Sequence, residues 1–102
     1  MRVISKRALK KFWEQHSNAK SSLLLWYRRI LKAKFRNFNT LRQTFPSADL
    51  VGNFVVFNIE GNNYRLVDYI DYKAQMLFVR AILTHAVYNK ENWKDDDWYQ
   101  KS

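Results

Sequence analysis

The chain has 102 residues, 47% hydrophobic and 17% aromatic, with two glycines and one proline, a composition that points to one globular domain and excludes a disordered or fibrous chain. It holds no cysteine, which excludes disulfides, thiolate metal sites and a cysteine nucleophile. The net charge is +9, which favours a polyanionic partner; no apolar run approaches the ~20 residues of a membrane span and there is no signal-peptide core, so a soluble cytoplasmic protein is expected.

The charge is unevenly spread. Residues 1–46 hold twelve Lys/Arg and one acid, Glu14, a net of +11. Residues 47–102 hold six Lys/Arg and eight acids, a net of −2.

In chain order, residues 2–5 are short and β-leaning, and predict a strand able to add to a sheet. Ser5 is an N-cap candidate for a helix over about residues 6–15. There Ala8, Leu9, Phe12 and Trp13 share one face, while Lys6, Arg7, Lys10 and Lys11 project elsewhere. His16-Ser17-Asn18 breaks the pattern, and His16 reads as structural. A second helix is expected over about residues 19–34. Leu23, Trp26, Tyr27, Ile30 and Leu31 form its apolar stripe, and Arg28, Arg29 and Lys32 its basic side. Trp13 and Trp26 are assigned to the core. Residues 40–45 predict a short helical turn before Pro46, which disfavours helix at the preceding residue. Residues 47–53 then lead through a Gly52-Asn53 turn into the part of the chain richest in β-branched and aromatic residues.

That part predicts three strands, over residues 54–59, 64–70 and 75–83. The first turn, Glu60-Gly61-Asn62-Asn63, holds residue types that tolerate positive φ, and Asp71-Tyr72-Lys73-Ala74 forms a four-residue loop. Together they make an antiparallel meander. The order strand, helix, helix, strands describes an α+β domain spanning 1–102, with both helices on one sheet face. The other face is expected to be partly open, a place for a ligand. Residues 91–102, with the acidic Asp95-Asp96-Asp97, read as a C-terminal tail.

Chemistry is sought in the meander. His85 stands at the end of the last strand, and histidine exchanges protons near neutrality. Arg65 and Arg80 sit inside strands. Taken singly, each reads as an ordinary polar member of a solvated face. Together with Lys73 they supply three cations and an imidazole able to converge on a phosphodiester. Arg80 and His85 are an odd number of residues apart, which puts them on opposite faces of a regular strand. Their convergence therefore requires a break, expected within 81–84. No His/Asp/Glu cluster has metal-ligand spacing, no carboxylate pair suits glycoside chemistry, and no glycine-rich phosphate loop is present, so neither metal nor cofactor is expected. Arg28, Arg29 and Lys32 fit RNA or ribosome contact.

Several blocks in register carry a family resemblance. They are Arg2-Val3-Ile4-Ser5-Lys6-Arg7-Ala8-Leu9, Phe12-Trp13, Trp26-Tyr27, Phe45-Pro46-Ser47-Ala48-Asp49 and Val56-Phe57-Asn58-Ile59. They continue with Gly61-Asn62-Asn63-Tyr64-Arg65-Leu66, Ile70-Asp71-Tyr72-Lys73, Phe78-Val79-Arg80 and Thr84-His85-Ala86-Val87-Tyr88. From residue 2 to about 90 the chain resembles the HigB toxins of bacterial type II toxin–antitoxin systems; the tail carries no part of the match. The resemblance implies a RelE-like fold (β-α-α-β-β-β), mRNA interferase activity on mRNA being translated at the ribosome, and inhibition by a HigA-type helix-turn-helix antitoxin. Carried onto this sequence, it implies Arg65, Lys73, Arg80, His85 and Tyr88 as catalytic residues and Asn62 as an RNA contact. RNA brings its own nucleophile, the 2′-hydroxyl, so metal-free cleavage needs only proton transfer and charge stabilisation. The alternative reading is a non-catalytic basic RNA- or ribosome-binding module.

Overall fold

Three runs dense in β-branched and aromatic residues form the centre of the sheet in the computed structural model, which describes residues 1–99; positions 100–102 of the expected tail lie outside the described residues. They are β3 (Phe54–Ile59), β4 (Tyr64–Asp71) and β5 (Met76–Thr84), each antiparallel to the next. β1 (Arg2–Ile4) adds in parallel to β5, and β2 (Asp49–Val51) pairs antiparallel with β3. The result is a five-stranded mixed sheet in the order β1-β5-β4-β3-β2. The central three strands and β1 agree with the sequence expectation; β2, three residues long, forms where only a lead-in to the Gly52-Asn53 turn is expected.

The β3–β4 loop turns as its residue types foretell, with Glu60 at φ 52° and Gly61 at φ 61°, both left-handed. Helix α1 (Lys6–Gln15) begins after an extended Ser5, whose side chain makes no capping bond. His16 stacks on Phe12, with ring centroids 4.3 Å apart, and a single 3-10 turn leads into α2 (Lys20–Lys32). Helix α3 (Phe38–Thr44) starts earlier than expected, because Asn37 and Thr40 form a reciprocal capping box. No helix among the described residues is long and apolar enough to cross a membrane.

Strand alternation divides the sheet's side chains between two cores. On one face Leu9, Leu23, Trp26, Ile30 and Leu41 of the helices meet Val55, Phe57, Leu66, Ile70 and Leu77. This is the α+β arrangement expected, with the amphipathic helices burying their apolar stripes. The other face differs from expectation. Phe54, Val56 and Val67 are not open to a ligand but are covered by Tyr88 and by Trp93, Trp98 and Tyr99 of the C-terminal tail. Full burial of such side chains stabilises by about 1.5–3 kcal/mol each, so the tail is an integral part of the fold.

Two irregularities lie in mid-sheet. Val67 pairs with Ala81 but Asp68 pairs with Val79, which makes Arg80 the extra residue of a β-bulge. Asp68 is fully buried with no hydrogen-bond partner for either carboxylate oxygen. Burial pushes its carboxyl well above the usual carboxylate range.

Candidate active site

The β3–β4 turn, the start of β4 and the end of β5 meet at one edge of the sheet. Strand β5 stops at Thr84, whose hydroxyl accepts from the Val87 amide at 3.3 Å and so caps a short helix, α4 (His85–Asn89). His85 is therefore the first residue of a helix rather than the last of a strand. Its own amide donates to the Asn63 carbonyl at 3.1 Å, tying α4 to the β3–β4 turn.

Arg65, the second residue of β4, reaches across this edge. Its Nη1 donates to the carbonyls of Asn62 (3.1 Å) and Tyr64 (3.3 Å), and its Nη2 lies 3.2 Å from His85 Nδ1. The guanidinium also stands 5.5 Å over the ring of Tyr88, one turn along α4. His85 Nδ1 is in addition 3.3 Å from the Asn62 carbonyl. One nitrogen cannot satisfy both neighbours at once. With the imidazole proton on Nε2, Nδ1 accepts from Arg65; with the proton on Nδ1, it donates to Asn62 and leaves the Nε2 lone pair free. The same ring can thus present either a proton donor or an acceptor outward, while Arg65 and Asn62 hold its inner side.

Tyr88 is the other titratable group here. Burial pushes its phenol up; Arg65 and Lys94 pull it down, while Asp49 and Glu91 push it up. Asp49 on β2 and the tail residues Lys94 and Glu91 thus border the cluster. Lys94 is itself held by Glu91 at 2.9 Å.

The remaining residues singled out in the sequence lie elsewhere. Arg80 shares the sheet face of Arg65, because the bulge places it and Ala81 on one side. It sits three residues, about 10 Å at the usual strand rise, back from Leu83, the cross-strand partner of Arg65. Its guanidinium is engaged by the tail: Nε and Nη2 donate to the Asp96 carboxylate at 2.8 and 2.9 Å, and the group lies 4.0 Å over the Trp98 ring. The hydrogen bond from Arg80 holds the Asp96 carboxyl below its usual range. The break required between Arg80 and His85 falls at Arg80 itself, and residues 81–84 continue as regular strand. Lys73 occupies the β4–β5 turn, where Asp71 Oδ1 accepts from the Ala74 amide. β4 is eight residues long, which at about 3.3 Å per residue separates its ends by roughly 23 Å. The structure accordingly brings Arg65, His85, Tyr88 and Asn62 together, keeps Arg80 on their face but paired, and sets Lys73 at the opposite end.

Arg28, Arg29 and Lys32 are exposed on α2, on the helix side of the sheet. Arg29 borders a groove of about 280 Å³ walled by Trp26, Phe45 and Phe57. Trp93 was not singled out as a site residue, yet its indole is stacked on Tyr88 with centroids 5.0 Å apart. The pair is only five residues apart, but the spacing fits neither a helix face nor a strand face and so carries no signal in the sequence.

A family described as HigB_toxin, RelE-like toxic component of a toxin-antitoxin system, matches residues 19–91. Among curated proteins, the mRNA interferase toxin HigB of Escherichia coli K12 is 30% identical over 92 residues, covering 87% of this chain and 88% of the relative. The mRNA interferase HigB of Shigella flexneri matches with the same identity and coverage. That of Escherichia coli O6:H1 is 30% identical over 93 residues, covering 88% of this chain and 90% of the relative.

Proposed function

The chain belongs to the HigB family of RelE-like toxic components of toxin–antitoxin systems, and from that premise we propose that it is an endoribonuclease that cleaves mRNA during translation, with Arg65 and His85 as its catalytic pair. The curated relatives are mRNA interferases by name, and an antitoxin partner follows from the family description. The observation that carries the residue assignment is the Arg65 guanidinium, held between the Asn62 carbonyl and the His85 imidazole on an exposed edge.

This edge supplies one group for charge stabilisation and one for proton transfer, and the second proton of the step exchanges with water. The substrate's 2′-hydroxyl loses its proton to a base, and its oxygen bonds to phosphorus. The P–O5′ bond breaks, and the departing 5′-oxygen takes up a proton. The products are a 2′,3′-cyclic phosphate (or the 3′-phosphate from its hydrolysis) and a 5′-hydroxyl. Arg65 stabilises the charge that builds on the non-bridging oxygens, and His85 transfers a proton through its outward Nε2. A guanidinium at the centre of the cluster repels a divalent cation, which favours a metal-independent route. Tyr88 supports Arg65 from below and Asn62 supplies the carbonyl that orients the pair. Arg80 strengthens the positive potential of the face once RNA competes with Asp96 for it. Lys73, at the far end of β4, has no place in this step.

Arg28, Arg29 and Lys32 give the helix side a cationic surface suited to ribosomal RNA. An antitoxin of the HigA type, working in the cytoplasm, would relieve toxicity by covering the Arg65 edge. The test is end chemistry. The protein is added to a reconstituted translation reaction, and both termini at the cleavage site of the reporter mRNA are mapped. Cyclic or 3′-phosphate with 5′-hydroxyl ends are expected; 3′-hydroxyl with 5′-phosphate ends contradict 2′-hydroxyl attack, and an intact mRNA contradicts cleavage altogether.

A further inference from the structure

A column of aromatic rings runs from the candidate site into the C-terminal tail. The Arg65 guanidinium lies over one side of the system at 5.5 Å from the Tyr88 ring. Tyr88 is stacked on the Trp93 indole with centroids 5.0 Å apart and planes 11° from parallel. The indole is fixed against rotation. Its Nε1–H donates to the Tyr88 carbonyl at 3.0 Å, Tyr99 meets it edge-on at 5.8 Å, and Phe54 lies tilted against it at 6.3 Å. Each of these contacts ties the ring to groups that are themselves seated on the sheet. Trp93 lies beyond residue 91, where the family match ends.

We propose that Trp93 is a positioning residue of the ribonuclease: it holds the Tyr88 ring as a rigid platform beneath Arg65, and through Arg65 it sets the guanidinium against the His85 imidazole. The inference rests on the assignment of Arg65 and His85 as the catalytic pair. The physical need is clear from the composition of the edge. Arg65 has a long side chain with many rotamers, and His85 is exposed. Neither group is locked by burial, so a flat ring held in one plane adds to the hydrogen bonds from Arg65 to the Asn62 and Tyr64 carbonyls in restraining the guanidinium to the Asn62–His85 arc. Tyr88 sits on α4, which is only five residues long. A helix that short has little stability of its own, and the Trp93 hydrogen bond to its Tyr88 carbonyl anchors it to the tail. A small displacement of a group that must meet a transition state is costly, of the order of a hundredfold in rate for about 1 Å.

The position is separated from mere covering of the sheet by two substitutions that both keep an apolar side chain. Trp93→Phe retains a flat ring beneath Tyr88, whereas Trp93→Leu retains apolar bulk without one. Both are measured with Arg65→Ala as reference, in single-turnover cleavage of a reporter mRNA in a reconstituted translation reaction. The protein is in excess, so that the saturating rate and the half-saturating concentration are obtained separately. Thermal melts confirm that each variant is folded. Trp93→Leu is expected to lower the saturating rate about tenfold or more with the half-saturating concentration changed by less than about twofold, and Trp93→Phe to remain within about threefold of the original rate. Equal rates for the two variants, or Trp93→Leu at the original saturating rate, overturn the proposal while Arg65→Ala is inactive. Should Arg65→Ala itself cleave normally, the assignment of the catalytic pair beneath the proposal fails instead.

Discussion

Two carboxylates, Asp68 on β4 and Asp96 in the tail, have opposite linkage to pH. Asp96 is held below its usual range by the hydrogen bonds from Arg80, so its pairing adds stability above the unfolded pKa of about 3.9 and loses it as pH falls through the folded value. Asp68, fully buried and unpartnered, has its carboxyl raised by desolvation. In the folded state it keeps a proton that the unfolded chain has already released. Stability attributable to Asp68 is therefore greatest below about 3.9 and declines as pH rises toward the raised folded value. Replacing it with the neutral isostere, Asp68→Asn, removes that decline. In melting curves across pH, the difference between the variant and the original chain should widen in favour of the variant as pH rises above about 4; parallel curves would show that Asp68 finds a partner or water in solution. Neither behaviour is legible in the sequence. Asp68 lies between Leu66 and Ile70 in the strand alternation and so faces the helix-side core, where only the packed helices decide that it is fully buried. The pairing of Arg80 with Asp96, sixteen positions later, is set by tertiary docking.

At the scale of elements, strands β3, β4 and β5 and helices α1 and α2 were legible because each has its own periodicity and turn chemistry. What escaped was short or conditional. β2 has three residues and forms only because β3 offers an edge. Helix α4 has a recognisable Thr84 cap, but that signal follows directly on a strand and is masked by the strand pattern before it. The bulge moves one residue and leaves composition unchanged, so strand parity demands a break, but the stretch 81–84 expected to hold it is regular and the break falls one residue earlier, at Arg80. The tail's role was hidden because Trp93, Trp98 and Tyr99 show no amphipathic period; only the sheet face they cover gives them a pattern.

Docking of that tail depends on Gly52. Gly52 and Gly61 have nearly the same left-handed backbone, φ 58° and 61°. A Cβ at Gly52 would lie 2.7 Å from Cε1 of Tyr99, whereas one at Gly61 meets nothing within 4 Å. Both Gly→Ala changes incur the backbone penalty, of the order of 1 kcal/mol, but only Gly52→Ala also pushes the tail away. Gly52→Ala should lose about 1–3 kcal/mol more than Gly61→Ala, a further fall in melting temperature of roughly 5–15 °C, with increased binding of an apolar dye. Equal shifts for the two variants would mean that the tail is not held where the structure puts it.

Across the whole molecule, charge and chemistry occupy different sides. Residues 1–46, which include all three long helical segments, carry a net +11, while the Arg65–His85 edge lies where the sheet and tail meet. On the proposed function, recruitment falls to the helix surface and cleavage to the Arg65–His85 edge. Replacing Arg28, Arg29 and Lys32 together by Glu should weaken ribosome or RNA association by at least about tenfold at low salt and flatten its salt dependence, since counterion release scales with the number of phosphates neutralised. Circular dichroism should be unchanged, because all three side chains are exposed. Sedimentation with ribosomes at two ionic strengths checks this, and unchanged co-sedimentation at both would remove α2 from the binding surface.

The assignment of Arg65 and His85 is decided by one comparison, cleavage of a translated mRNA by the original chain, Arg65→Ala, His85→Ala and the double variant, each shown to be folded and read by primer extension. Arg65 and His85 are partly exposed and exposed, respectively, so their removal should leave the fold intact. Groups that act as a unit lose activity non-additively. Each single variant is therefore expected to reduce the cleavage rate by at least about a hundredfold, consistent with loss of a proton-transfer or charge-stabilising group, and the double variant to be little worse than either. Folded Arg65→Ala and His85→Ala proteins that cut the same sites at the original rate would contradict the central claim.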